Sequence, residues 1–179
     1  MEQLTRVQLN SKYYAGYKAI DIGVRIFVGL LLACIVMFVL FRPMVIAGDG
    51  MNPALANGDT VLVSRLAPLL TTPKRGEAVA YQRGDTVYVG RIIASEGESV
   101  QMVNGYVYIN GELLDERTYV EISEGNFSEL TVGEGEVFVL CDNRALASED
   151  SSSHLVKYDD LWGVIRVRIY PQLNIFGAS

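Results

Sequence analysis

One histidine and two cysteines in 179 residues leave little material for metal or disulfide chemistry. A zinc centre built from protein ligands needs several His, Cys or carboxylate side chains at close spacing. No such set is present, and neither a metal nor an organic cofactor is expected. Cys34 lies in an apolar run and Cys141 far beyond it, so the fold has to hold without an internal disulfide, as a domain of this size can. Lysine is sparse as well: beyond residue 42 only Lys74 and Lys157 occur. Residues 43–179 carry ten basic and nineteen acidic side chains, a net charge of −9. A surface of that sign excludes DNA or RNA as an expected partner.

Long apolar runs are scarce too, with one exception. Ile26 to Phe41 are sixteen uncharged, mostly apolar residues, bounded by Arg25 and Arg42. A helix crosses the hydrocarbon core with about 20 residues, about 17 at the short end, and arginines at the ends can snorkel to the headgroups. The chain therefore reads as a cytoplasmic arm (1–25), a transmembrane helix (26–42) and an extracellular domain (43–179). A cleaved signal sequence fits less well, because the run begins late and Pro43-Met44-Val45-Ile46 offers no small-residue cleavage pattern. Arg6, Lys12, Lys18, Arg25 and Arg42 stand against Glu2 and Asp21 in the first 42 residues. That basic excess predicts a cytoplasmic N-terminus in a single-pass protein of the cell membrane.

Beyond Pro43 the pattern changes to short strands behind turn pairs. Gly58-Asp59 precedes Thr60–Val63, Gly76-Glu77 precedes Ala78–Tyr81, and Gly84-Asp85 precedes Thr86–Val89, continued by Arg91–Ala94. Val107–Ile109 ends in Asn110-Gly111, and Val137–Leu140 and Trp162–Tyr170 complete the set. In the last of these, Val164, Arg166, Arg168 and Tyr170 alternate with Gly163, Ile165, Val167 and Ile169, which predicts a strand with one inward face. The result is a mostly β, antiparallel domain, with a variable excursion near 112–136 and a polar loop over 145–160.

Four segments in order resemble type I signal peptidases of the Gram-positive kind. They are Gly48-Asp49-Gly50-Met51-Asn52-Pro53-Ala54-Leu55, Gly76-Glu77-Ala78-Val79, Gly90-Arg91 within Val87–Ile93, and Cys141-Asp142-Asn143-Arg144. The resemblance implies an N-terminal anchor followed by a signal-peptidase-like antiparallel β-domain. It also implies a serine nucleophile at position 50 and a lysine general base at position 90. A serine hydroxyl needs an adjacent base to attack an amide, and lysine serves only when its pKa is lowered. Both positions are glycine, so neither group is present.

The expectation is therefore a catalytically incomplete relative. Asp49, Gly50, Met51, Pro53, Gly90, Arg91, Asp142, Asn143 and Arg144 would form or brace a peptide groove, with Gly50 and Gly90 as vestigial catalytic positions. Catalytically incomplete signal-peptidase-like proteins of streptococcal pilus operons have this layout. Their likeness implies a chaperone or scaffold role toward a pilin precursor or its sortase. Two alternatives stay open. One is a peptidase with relocated machinery, using Ser64, the serines at 151–153, Cys141 or an Asp49/Asp142 pair. The other is a modulator of an active signal peptidase in the same bilayer. His154 is expected as a surface or hydrogen-bonding residue. Beyond Arg144, an ungapped reading puts Ala147 and Glu149 at the family's serine and aspartate; a one-residue insertion puts Ser148 and Asp150 there.

Overall fold

The computed structural model describes residues 6–66, 68, 71–116, 120, 125–146 and 154–175, and within the N-terminal helix the side chains from Tyr17 onward. Two compact units meet in sequence at Leu40 and Phe41. The first is helix α1, Arg6–Leu40. Its segment Tyr17–Leu40 is 24 residues long and apolar enough to cross a membrane, about 36 Å at helical rise. This supports a membrane location. Arg25 is held by Asp21 one turn away at 2.8 Å, which neutralises the one charge pair in the segment.

The second unit is built on two antiparallel sheets. The strands are β1 Phe41–Val45, β2 Thr60–Ser64, β3 Ala78–Arg83, β4 Thr86–Ser95, β5 Ser99–Val103, β6 Tyr106–Ile109, β7 Glu112–Leu113, β8 Phe127–Thr131, β9 Glu136–Leu140, β10 Leu155–Lys157, β11 Leu161–Tyr170 and β12 Asn174–Ile175. The larger sheet runs β1-β2-β11-β3-β4-β9-β10, with β12 on β11, and the smaller runs β7-β6-β5-β8. This is the N-terminal helix and antiparallel β-domain that the sequence predicts.

Three apolar clusters hold the sheets. One joins the smaller sheet to the larger through Val100, Met102, Val107, Phe127, Phe138 and Leu140. A second lies between the segment after β1 and the sheet, with Ile46, Met51, Leu55, Val61, Val63 and Ile165. The third covers the opposite side with Val79, Ile92, Val139, Val156 and Val164. Strand β11 contributes Val164 to one cluster and Ile165 to another, so both of its faces are buried there. Register shifts follow at Ile165/Val167 and Arg168/Tyr170. The clean one-face alternation expected for this strand is thus absent, because a central strand between two cores has no solvent face.

The 112–136 segment contains β7 and β8 and is tied back to the motif region by a buried ion pair between Glu116 and Arg144. Residues 154–160, expected as loop, form β10 and a short turn of 3-10 helix, because Val156 packs into the third cluster and pairs with Val137. Residues 147–153, including the serines and the two alignments of the motif's continuation, lie outside the described residues.

Arg91 and Asp142 join the central strands electrostatically. Arg91 Nε and Nη2 donate to the two Asp142 carboxylate oxygens at 2.8 and 2.5 Å, while Nη1 donates to Gly76 O at 2.7 Å. Asp142 is fully buried. Removing one partner of such a pair strands the other charge, at a cost of about 3–5 kcal/mol. Asp142→Ala is therefore expected to lose about that much stability in urea unfolding followed by the fluorescence of Trp162. A change below about 0.5 kcal/mol contradicts it.

Candidate functional site

Strand β1 ends at Val45, and the chain then turns sharply through residues 46–59 before re-entering the sheet as β2. Gly48 takes a left-handed φ of +87°, a conformation that side chains rarely tolerate. Ile46 N donates to Asp59 O at 2.8 Å, Gly58 N to Ile46 O at 2.9 Å and Leu55 N to Met51 O at 2.7 Å. The Asp59 carboxylate accepts from Ala56 N at 3.0 Å and from Arg168 at 3.1 Å, anchoring the turn to β11. Met51 and Leu55 point into the core beneath it, 2% and 1% exposed. Gly50 is thereby presented at a fixed place, and Asn143 holds it there. Its N–H donates to Gly50 O at 3.0 Å and its side-chain amide to Asp49 O at 3.3 Å.

Gly50 and Gly90 both abut the segment Val139–Cys141, but they differ in the room around them. A Cβ added at Gly50 would lie 3.8 Å from Cys141 Cβ, an ordinary contact. One added at Gly90 would lie 2.4 Å from Val139 Cγ1 and 3.1 Å from Leu140 O. Val139 occupies the space into which a side chain at position 90 would have to emerge, and its branched Cβ gives it little rotamer freedom to move. Position 90 carries no side chain, and Val139 fills the space one would need.

Beside Gly50 lies a cleft of about 580 Å³. One wall is β1 and its exit, Met44 to Gly48; the other is Thr86 to Val89 of β4. Among the described residues, strand β1 pairs with β2 alone, so its other edge has no described strand partner. In β4, residues Thr86–Gly90 pair with β3 on one side, while pairing with β9 on the other begins only at Arg91. Two free strand edges therefore face one cleft. Tyr81, Arg83, Tyr88, Val139, Cys141, Leu146 and His154 complete its lining. His154 is half-buried, its ring 5.4 Å from Phe138 and 5.9 Å from Phe127.

Of the residues picked out in the sequence, Gly50 and Met51 line the cleft. Gly90, Arg91, Asp142 and Arg144 are buried behind it, Asn143 braces the turn, and Asp49 and Pro53 are exposed on the turn itself. The aromatic and cationic wall of Tyr81, Arg83 and Tyr88 did not emerge from motif reading. Its signal was the two-residue turn Gly84-Asp85, which sets Tyr81 opposite Tyr88 and Arg83 opposite Thr86.

The described lining holds neither a serine nor a lysine. Ser64 is buried in β2 and lies elsewhere, as do Lys74 and Lys157. Burial pushes the Cys141 thiol up from its ordinary range, and the nearby Arg144 only partly offsets this. Its S–H donates to Asn143 O at 3.2 Å rather than to a base. Burial likewise raises the Asp142 carboxyl, with Arg91 and Arg144 pulling it back down, and both its oxygens are engaged by Arg91. Burial raises the Glu116 carboxyl too, against the pull of Arg144.

Known proteins resemble this chain over most of its length. Residues 19–170 match the family model for signal peptidase, peptidase S26. The chain is 32% identical over 165 residues to signal peptidase I T of Bacillus subtilis, covering 83% of this chain and 84% of that protein. It is 29% identical over 162 residues to the probable signal peptidase I-1 of Synechocystis, covering 85% and 76%. It is also 29% identical over 138 residues to the inactive signal peptidase IA of Staphylococcus aureus, covering 71% and 78%. A crystal structure of a signal peptidase I from Enterococcus faecalis shares 27% identity at a TM-score of 0.42, covering 52% of this chain and 97% of that one. The relatives thus include proteins named as signal peptidases and one named as inactive.

Two outcomes follow from the site. Gly50→Ser is expected to change stability by less than about 0.5 kcal/mol, whereas Gly90→Lys loses about 1–3 kcal/mol through overpacking. Adding Val139→Ala to Gly90→Lys should return part of that loss. Equal tolerance of serine at 50 and lysine at 90 in urea unfolding contradicts the closed site. Separately, iodoacetamide labelling of Cys141 in the Cys34→Ala chain should rise only above the ordinary thiol range of about pH 8.5. Rapid labelling near neutral pH would show an activated thiolate instead.

Proposed function

The chain belongs to the signal peptidase family, peptidase S26, and from that membership we propose that it is a non-catalytic member that binds an extended polypeptide at the outer face of the membrane. The observation that carries this reading is the cleft between two unpaired strand edges, β1 and Thr86–Val89 of β4, with glycine where the nucleophile would stand. An extended chain laid there completes main-chain hydrogen bonds on one or both sides. The apolar side chains of Val45, Val87 and Val89 receive alternate residues. None of this requires a hydroxyl or an amine.

The client we assign is a pilin precursor, with the protein acting as its chaperone or as a scaffold that presents it to a sortase. Support comes from the likeness to catalytically incomplete signal-peptidase-like proteins of streptococcal pilus operons, which includes glycine at position 90. An N-terminus in the cytoplasm and the β-domain outside agree with the basic flank before α1 and the acidic domain after it. The anchor would then end, and the outer domain begin, close to Arg42.

The reading of a peptidase with relocated machinery has less to stand on. Cys141 is a buried thiol without a hydrogen-bonded base, Asp142 is engaged by Arg91, and Asp49 lies exposed on the turn. A modulator of an active signal peptidase would use the same surface on a different partner.

A photo-crosslinking residue at Val87 in the full chain tests the proposal. It is expected to capture pilin precursor well above an unrelated secreted protein and to leave the precursor uncut from about pH 4 to 9, where carboxylate, thiol and imidazole chemistries each find a working protonation state. Absence of enrichment overturns the client. Cleavage by the purified chain at any pH in that span overturns the non-catalytic reading. Enrichment of an active signal peptidase in place of the precursor supports the modulator.

A further inference from the structure

Among the residues lining the cleft, Arg83 is the one with a permanent charge. It stands at the far end of the β3–β4 hairpin, paired with Thr86. Its guanidinium lies 6.0 Å from the centroid of the Tyr81 ring, and that ring stacks on Tyr88 at 5.9 Å. Arg83 Nη2 donates to Leu155 O at 3.1 Å, so a neutral carbonyl orients the cation without neutralising it. Arg75, Arg91, Arg144, Arg166 and Arg168 each have a carboxylate partner. Arg83 forms no salt bridge among the described residues. Asp160 borders a shallow recess of about 150 Å³ beside it without forming an ion pair with it, and Asp85 sits in the turn two residues on. Arg42 and Arg65 also form no ion pair among the described residues, but neither lines the cleft.

The rest of the domain has the opposite sign. At a net charge of −9 over residues 43–179, an acidic segment is repelled everywhere except where a local cation offsets the field. Arg83 supplies that exception inside the cleft. Burial pushes the Tyr81 phenol up while Arg83 pulls it down, so the cation's field reaches the aromatic wall.

We infer that Arg83 sets the sequence preference of the cleft, favouring extended polypeptides that carry a carboxylate about four residues from the residue level with Gly90. The spacing follows from the strand. Thr86 and Gly90 are four residues apart, about 13 Å at 3.3 Å per residue, and an extended ligand beside β4 rises at the same pitch. This rests on the reading of the cleft as a polypeptide groove, and it adds which polypeptides the groove prefers.

The test uses the full chain in detergent and fluorescein-labelled extended peptides of Ala, Val and Thr. Each peptide carries a single Glu, or Gln or Lys in its place, moved one position at a time. Anisotropy titrations at low salt are expected to show one position at which Glu binds about three- to fivefold more tightly than Gln, the size of a partly exposed ion pair. That preference should shrink toward none at about 0.5 M salt. Arg83→Gln should abolish the difference between the Glu and Gln peptides, Arg83→Lys should restore most of it, and Arg83→Glu should shift the preference to the Lys peptide. Equal binding of Glu and Gln peptides at every position, or a preference that survives Arg83→Gln, overturns the role of Arg83 and leaves the groove standing. Failure of every peptide to bind overturns the groove and this inference together.

Discussion

The ion pair between Arg91 and Asp142 connects everything that matters at this site. Arg91 lies at the point in β4 where pairing with β9 begins, and Asp142 follows the end of β9. Their two hydrogen bonds hold the segment Leu140–Asn143 against β4, and Asn143 in turn holds the turn that carries Gly50. Because β9 engages β4 only from Arg91 onward, residues Thr86–Val89 are left with one free edge. The same contact therefore supports the turn that carries Gly50 and the strand that borders the cleft beside it.

The two glycines differ in the room around them. At Gly50 the space for a side chain remains, bordered by Cys141 at ordinary contact distance. At Gly90 Val139 occupies the room a side chain would need. A serine at 50 and a lysine at 90 would therefore not meet as a dyad without rearrangement, because the lysine's path is filled by a stiff, buried residue. Cys141, which stands next to Gly50, is a thiol whose pKa burial pushes up and whose S–H donates to a backbone carbonyl rather than to a base.

Much of the scaffold could be read before any coordinates. Turn pairs such as Gly84-Asp85 and Asn110-Gly111 mark hairpins by backbone chemistry alone, and the strands beside them lie where the apolar runs place them. Strand β1 was hidden because Phe41 closes the apolar run and Arg42 is its charged boundary, so both read as the end of a helix, and Pro43 is tolerated there because β1 lies at the sheet edge. Strand β8 was hidden because Phe127 is its one buried side chain, so it shows no alternation. At the site, the motifs singled out Gly50 and Gly90 but not the filling of the space at Gly90. That depends on the register of β4 against β9, a pairing across more than forty residues that no local pattern fixes. Nor could a motif show that Arg91 and Asp142, or Arg144 and Glu116, are partners.

The central claim is that two free strand edges bind an extended polypeptide without cutting it, and backbone hydrogen exchange tests it most directly. In the full chain mixed with pilin precursor, amides in 43–48 and 86–90 are expected to exchange more slowly, while those of β5 to β8 stay unchanged and the precursor keeps its mass. Unchanged exchange at both edges with saturating precursor, or a shortened precursor, would contradict the account.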